Sequence, residues 1–331
     1  MVRGMVASHT DGKEPIAYAE HDKLGPLGSK SALLHDPKEL RKALVREFTE
    51  AAEAAGEAAK KAREASGEAV HEVRKALRRA RAVLSTIGDA LPKSERRAVK
   101  AALQQSRRGV SAARDHAVAP ETLAALSLDD ANRTTATAVI ANAKQAVPSD
   151  DEIKAMLDEA AKAATAQAAA LDAALPPELD WSVVASGVRA VYADARRARR
   201  AAKHSKREFH AWRRRSKELA YQLDILKGYA GSRVEVLCSE IEGVGDAQSP
   251  AVDLIMVREF VQTYAQGIAQ DSVDRLIATI DDQLVDLMKS ARRASRDAFD
   301  ARPAKFERRV SKAVKRDLTV DGSASDGAAQ A

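Results

Sequence analysis

Val70-His71-Glu72-Val73-Arg74-Lys75-Ala76-Leu77-Arg78-Arg79-Ala80-Arg81-Ala82-Val83-Leu84 is the stretch on which the fold turns. At about 100° per residue, His71, Arg74, Arg78 and Arg81 fall within one helical stripe roughly 80° wide, while Val73, Leu77, Ala80 and Leu84 project from the opposite side. The segment therefore reads as a helix that buries one face and holds basic side chains over a groove or solvent on the other. The pattern recurs 139 residues later in His210-Ala211-Trp212-Arg213-Arg214-Arg215-Ser216-Lys217-Glu218-Leu219-Ala220-Tyr221. There, His210, Arg213 and Lys217 repeat the spacing of a histidine followed by bases three and seven residues on. Two helices of one type predict an internal duplication, and halves packed about a pseudo-twofold axis would turn both basic stripes toward one cleft.

Outward from these helices the chain is helix-forming throughout. Of its 331 residues 45% are hydrophobic, 31% charged and only 4% aromatic. Long stretches of Ala, Arg, Lys, Glu and Leu exclude a sheet-rich fold and predict an all-α one with enough apolar residues for a core. No apolar run reaches the roughly eighteen residues of a membrane span, and the start lacks the apolar stretch of a signal peptide. A cytoplasmic protein without a membrane partner is expected. Cys238 is the single cysteine, which excludes an intramolecular disulfide and a cysteine-based zinc site and reads as a small, partly buried thiol.

Residues 1–30, rich in Gly and Pro without helical periodicity, read as a mobile leader, and the polar residues 319–331 as a disordered tail. Between them, 31–318 divides at about 148 into halves of 31–148 and 149–318. The first half is expected to carry four helices, at about 36–66, 67–91, 93–113 and 120–147, with breaks at Gly88, Pro92, Pro120 and Pro148. Asp36-Pro37 looks like an N-cap and first helical position, and Ser149-Asp150-Asp151-Glu152 like the start of a helix ended by Pro176-Pro177. Further helices are expected at about 180–202, 205–229, 232–243, 250–279 and 280–300, then from Pro303 onward.

Net charge is only +6, but its distribution is uneven. From Arg196 to Lys217 there are eleven bases against the single acid Glu208, and from Lys289 to Arg316 eleven bases against Asp297, Asp300 and Glu307. A solvated helix mixes the two signs, and such excess destabilises the fold by self-repulsion unless a polyanion relieves it. A basic stripe alone is most often a soluble face, and a lone helical histidine a structural one; recurrence at matched spacing is what favours anion binding here. Trp212 and Tyr221 read as packing or hydrogen-bonding residues, because aromatics are too sparse for the interleaving that nucleic-acid readers use. Asp129-Asp130 and Asp281-Asp282 are neighbours pointing to different sides of a helix, so no carboxylate cluster is available to hold metal ions for phosphoryl chemistry. No enzymatic activity, cofactor or metal is expected. His71 and His210 are expected to tune anion binding between pH 8 and pH 6, since protonation adds a charge and a donor to each ring.

These residues resemble the CHAD family, the conserved-histidine α-helical domain. Val70 to Leu84 is similar to that family's first histidine helix, and Phe209 to Arg215 through Tyr221-Gln222-Leu223 to its second. Gly187-Val188-Arg189-Ala190-Val191-Tyr192 ahead of Arg196-Arg197 is similar to the basic helix before the second histidine. Arg302-Pro303-Ala304-Lys305-Phe306-Glu307-Arg308-Arg309 is similar to the closing segment, and Arg114-Asp115 falls at the family's Arg-Asp pair. The resemblance spans about residues 36–317. It implies two pseudo-symmetric four-helix bundles whose basic groove or pore binds inorganic polyphosphate, with association with polyphosphate granules in some members. The binding residues it implies are His71, Arg74, Arg78, Arg79, Arg81, Arg114, Arg189, Arg196, Arg197, Arg200, His210, Arg213, Arg214, Lys217, Tyr221, Lys305 and Arg309. The alternative is a general polyanion or nucleoid-associated protein, with weak nucleic-acid binding through the same charges. The chain departs from the pattern at Ala193, Asp194 and Glu218, where bases are common, and between Ser106 and Ala125, where the match is loose. It also lacks the Glu-x-Glu-x-Glu strand of the triphosphatase domain that many members carry. Polymer length, oligomeric state and biological role lie beyond the sequence.

Overall fold

Asp36 accepts hydrogen bonds from the backbone N–H groups of Lys38 at 2.9 Å and Glu39 at 3.3 Å, and Pro37 takes the first helical position. That cap opens α1 (Pro37–Lys60) in the computed structural model, which describes residues 36–326 except 65, 204 and 231 and leaves out the side chains of 112–117 and 317–326. The expected leader lies outside the described residues. Then come α2 (Ser66–Ile87), α3 (Lys93–Ala124), α4 (Asp130–Lys144), α5 (Asp150–Ala174), α6 (Trp181–Ala201), α7 (Lys206–Tyr229), α8 (Ser232–Thr263), α9 (Gln270–Ala294) and α10 (Pro303–Asp326). Among the described residues there is no strand, so the fold is all-α. Local chemistry sets several of the starts. Asp129, Asp180 and Ser205 each accept a backbone N–H from two or three residues ahead, and Ser149 with Glu152 forms a reciprocal capping box.

In the first group α1 packs on α2 and α5, while α3 also packs on α2 and α5. In the second, α6, α7, α8 and α9 pack in succession and α10 lies on α6 and α8. The helix at 150–174, placed by chain order in the second half, thus completes the first group, and α4 reaches across from α3 to α9. The two groups meet where α2 touches α6 and α7 and where α3 touches α8. Trp212, Phe209, Tyr192, Phe299 and Phe306 gather inside the second group, Tyr192 stacking on Phe306 at 3.9 Å and Trp212 meeting Phe209 edge to face at 5.3 Å. Burial of the Tyr192 hydroxyl raises its pKa to about 12. Cys238 is buried, its thiol 3.7 Å from the Ala220 carbonyl, and desolvation pushes its pKa up.

Three expected boundaries are corrected. Helix α3 does not break at Pro120 but continues to Ala124 before stopping short of the Asp129 cap. An interior proline costs about 3 kcal/mol, and the buried Ala119 and Leu123 on either side hold the helix together against that cost. Helix α8 likewise runs through Ser249-Pro250. One turn earlier its Gly245 carbonyl is bonded by Arg213 Nη1 at 2.8 Å and by Ser249 Oγ at 3.2 Å, so side chains supply donors beside the proline. The real break lies after Thr263, where Gly267 takes a positive φ of 74° that L side chains avoid. Finally, the polar stretch from Thr319, expected to be disordered, prolongs α10 to Asp326, because it contains no proline and its Ser and Thr are only mildly unfavourable in a helix. Residues 327–331 lie outside the described residues.

Candidate functional site: a cleft of unpaired cations

The apolar face of α2 is buried at Val73, Leu77, Ala80 and Leu84, which leaves the stripe of His71, Arg74, Arg78 and Arg81 turned away from the core of the first group. Helix α7 buries Phe209, Trp212, Ser216, Leu219 and Ala220, and this presents His210, Arg213, Arg214 and Lys217 on its remaining side. The contact of α2 with α7 brings the two stripes together. Arg78 is near enough to lower the pKa of both Arg213 and Lys217, and Arg81 acts on Arg214 in the same way.

A third helix contributes a side chain that the sequence reading missed. Arg107 on α3 is half-buried, and its pKa is lowered first by desolvation and then by Arg81, Arg214, Arg78 and Arg108. It therefore lies within electrostatic reach of both histidine helices. The dipeptide Arg107-Arg108 was visible in the sequence, but nothing there showed which way α3 turns. His210 remains exposed at one side of the cluster; partial desolvation, then Arg214, Arg107 and Arg213, hold its imidazole below the usual value. Lys217 is the most perturbed amine, brought down to about 8 by burial and by Arg213 and Arg78, against the opposing pull of Asp246 and Glu242.

Partnering divides the expected binding residues into two sets. Arg78, Arg81, Arg107, His210, Arg214 and Lys217 make no salt bridge with a described residue. Arg213 is held by the Gly245 carbonyl and by Ser249 Oγ at 2.9 Å, so it braces α7 against α8 while adding its charge to the cleft. His71 Nε2 lies 4.0 Å from Glu72 Oε1 at the far end of the stripe, and Tyr221 is half-buried next to the core.

Others of the expected residues point elsewhere. Arg79 points away from the cluster: its side chain is 12% exposed and bonds Glu47 Oε2 through Nε at 2.9 Å and Nη2 at 2.5 Å, and Asp224 Oδ2 through Nη1 at 2.8 Å. Tyr229 adds its hydroxyl to Glu47 Oε1 at 2.7 Å, so this buried network ties α1, α2 and α7. Arg196 donates to the carbonyls of Phe299 and Asp300, Arg189 pairs with Glu307, Arg309 with Glu240 and Arg197 with Asp194. Arg200 is exposed beside Arg199, whose pKa is lowered by desolvation, Arg292, Arg296, Arg196 and Arg200. Lys305 is exposed on α10, and the Arg114 side chain lies outside the described residues. Glu218, expected to trim the charge of α7, bonds Arg215 at 2.7 Å, and Arg215 also approaches Asp194.

Among the described residues no group of His, Cys, Asp and Glu is placed to hold a metal ion, and no helix is long and apolar enough to cross a membrane. Asp281 is occupied by Lys206 and Arg258, and Asp129 by its capping role. The arrangement is suited to holding a flexible anion along several fixed cations.

Comparison with known proteins agrees with this architecture. The family model described as CHAD domain matches residues 43–262, a span that covers α2, α3 and α7 but not the closing segment with Lys305 and Arg309. The crystal structure of the CHAD domain from the plant Ricinus communis matches with a TM-score of 0.57 at 18% identity, covering 79% of this chain and 92% of that one. No curated protein matches in sequence.

Proposed function

Because the chain belongs to the CHAD domain family, we propose that it is a non-catalytic binder of inorganic polyphosphate, held in the cleft between α2, α3 and α7. One observation carries this reading. Five cations, Arg78, Arg81, Arg107, Arg214 and Lys217, converge beside the His210 imidazole without a salt bridge to any described carboxylate, whereas Arg79 and Arg215 of the same helices are paired. Helices fix these cations, so a polymer of phosphates meets them without ordering them first. Guanidinium forks and the ammonium of Lys217 then bond successive phosphate oxygens, and each bond displaces counterions. In this reading the cleft retains phosphoanhydrides rather than cleaving them. Association with polyphosphate granules in the cytoplasm is part of the same proposal.

The test is a calorimetric titration with long-chain polyphosphate at two salt concentrations, beside single-stranded DNA of equal phosphate content. Tight, salt-sensitive binding that DNA does not match supports the reading. Equal or stronger DNA binding would replace it with a general polyanion surface. Released orthophosphate in the presence of magnesium, lost on substitution of His71 or His210, would overturn the non-catalytic assignment.

A further inference from the structure

The second basic run of the sequence, from Lys289 to Arg316, supplies none of the named cations of the cleft. Part of it lines a groove elsewhere. Arg309, Lys312 and Arg316 fall within about 60° of one another on α10. With Arg233, near the start of α8, they surround a trough of about 330 Å³ floored by Val236, Leu237 and Ala313. Leu237 and Ala313 are buried, whereas Val236 and all four bases are exposed, so the trough is open to solvent. The Lys312 ammonium makes no hydrogen bond or ion pair with a described residue. Arg309 Nη2 lies 3.2 Å from Glu240 Oε2, but the two side chains are 41% and 39% exposed, and a surface pair of this kind yields readily to a denser anion.

Groove and cleft lie on different sides of α8. Arg233, Val236, Leu237 and Glu240 point one way from that helix. Gly245 and Ser249, which take the two ends of the Arg213 guanidinium from α7, point about 150° away at about 100° per residue. The body of α8 thus stands between the two sets of cations. Helix α10 also lies beyond residues 43–262, the span that the family model matches.

We propose that the groove between α8 and α10 is a second polyphosphate-binding site, which makes the chain bivalent and lets it cross-link polyphosphate strands. The inference rests on the cleft being a polyphosphate site, since a cross-link needs both. Four bases around an apolar, low-dielectric floor focus their field on the space between them, and guanidinium forks match phosphate oxygens. An open trough admits the middle of a polymer, which an enclosed pocket does not. Because its cations are exposed, the groove holds phosphate more weakly than the cleft and serves as the second hold rather than the first. Once the cleft has captured a strand, the phosphate concentration around the molecule is high, and the groove engages a distant stretch or a neighbouring strand. The protein then gathers polyphosphate into particles instead of only coating it.

Calorimetric titration of the full chain with tripolyphosphate at low salt counts the sites, and light scattering with long-chain polyphosphate reads cross-linking. The wild type is expected to bind a tight and a weaker equivalent, and Arg233→Gln/Lys312→Gln/Arg316→Gln, at unchanged helicity, only the tight one. Scattering should fall at least about fivefold in that variant. A single equivalent in the wild type that the variant keeps overturns the groove and leaves the cleft standing. A weaker equivalent that the variant retains also overturns the groove. Loss of the weaker equivalent with scattering unchanged overturns cross-linking. If the variant loses the tight equivalent, or if Arg81→Gln/Arg214→Gln keeps it, the cleft reading itself fails and the inference falls with it.

Discussion

Gly187 of α6 lies against the carbonyl of Thr86 on α2, so closely that a β-carbon at position 187 would sit 2.2 Å from that oxygen. The carbonyl carbon of Thr86 and the Ser85 oxygen would be 2.7 and 2.8 Å away, and all three are backbone atoms that no rotamer change can move. Glycine here sets the distance between the two helical groups. Gly187→Ala is expected to force α2 and α6 apart and cost about 2–3 kcal/mol. Urea unfolding measures this, and an unchanged midpoint would mean the crossing opens freely.

Arg79 and Arg107 should separate stability from binding. Arg79→Met removes the guanidinium that bonds the buried carboxylates of Glu47 and Asp224, which are 2% and 5% exposed, and is expected to lower stability by about 3–5 kcal/mol. In whatever folds, polyphosphate affinity should stay near wild type. Arg107→Gln relieves repulsion from four neighbouring arginines, so its thermal midpoint should hold or rise while affinity falls by about tenfold. Parallel calorimetry and thermal melts would expose the opposite pattern, which would reverse the two assignments.

Binding should also depend on pH through Lys217. Its pKa in the fold, about 8, lies below the 10.5 of an ordinary lysine, so between these values the unfolded chain holds the extra proton. Stability of the ligand-free protein therefore rises from pH 8 toward 10.5, and below pH 8 the penalty is constant because both states are protonated. Polyphosphate favours the ammonium, so it takes up a proton near pH 8 and its affinity falls by about tenfold between pH 7 and 9. Titrations in buffers of different ionisation enthalpy detect that proton, and Lys217→Met should abolish both the uptake and the slope. His210, held below its usual value, adds its charge at more acid pH than the range expected from sequence, and affinity should rise again there.

Gln248 is fully buried, and among the described residues neither its Nε2 nor its Oε1 has a hydrogen-bond partner. An amide desolvated without partners costs more than the apolar side chain that could replace it. Gln248→Met is expected to stabilise the protein by about 1 kcal/mol. A loss of stability would show that a water or a neighbour satisfies the amide in solution.

The sequence was most informative where chemistry is local. Asp36-Pro37 and the Ser149–Glu152 capping box act within a few residues, and the apolar stripe of α2 follows from helical geometry alone. Pro120 and Pro250 misled because the forces that keep those helices whole come from elsewhere, in the second case from Arg213 on α7. Of the proposed binding residues, Arg78, His210 and Lys217 follow from the repeated spacing and Arg81 from the helical stripe, while Arg214 enters with the family resemblance. Arg79 lies off that stripe and was implied only by the resemblance; its partners Glu47 and Asp224 are brought to it by the fold. Arg107 needed the orientation of α3, which no periodicity encodes.

The cleft draws its cations from 66–87 and 93–124 early in the chain and from 206–229, with the whole stretch 125–205, carrying α4, α5 and α6, between them. During synthesis, the first histidine helix leaves the ribosome long before the second exists, and the growing chain presents isolated basic stripes but no site. A polyphosphate strand would thus find its multivalent hold only on a chain whose second half has emerged and docked. No excised fragment holding just one histidine helix should serve as a minimal binder.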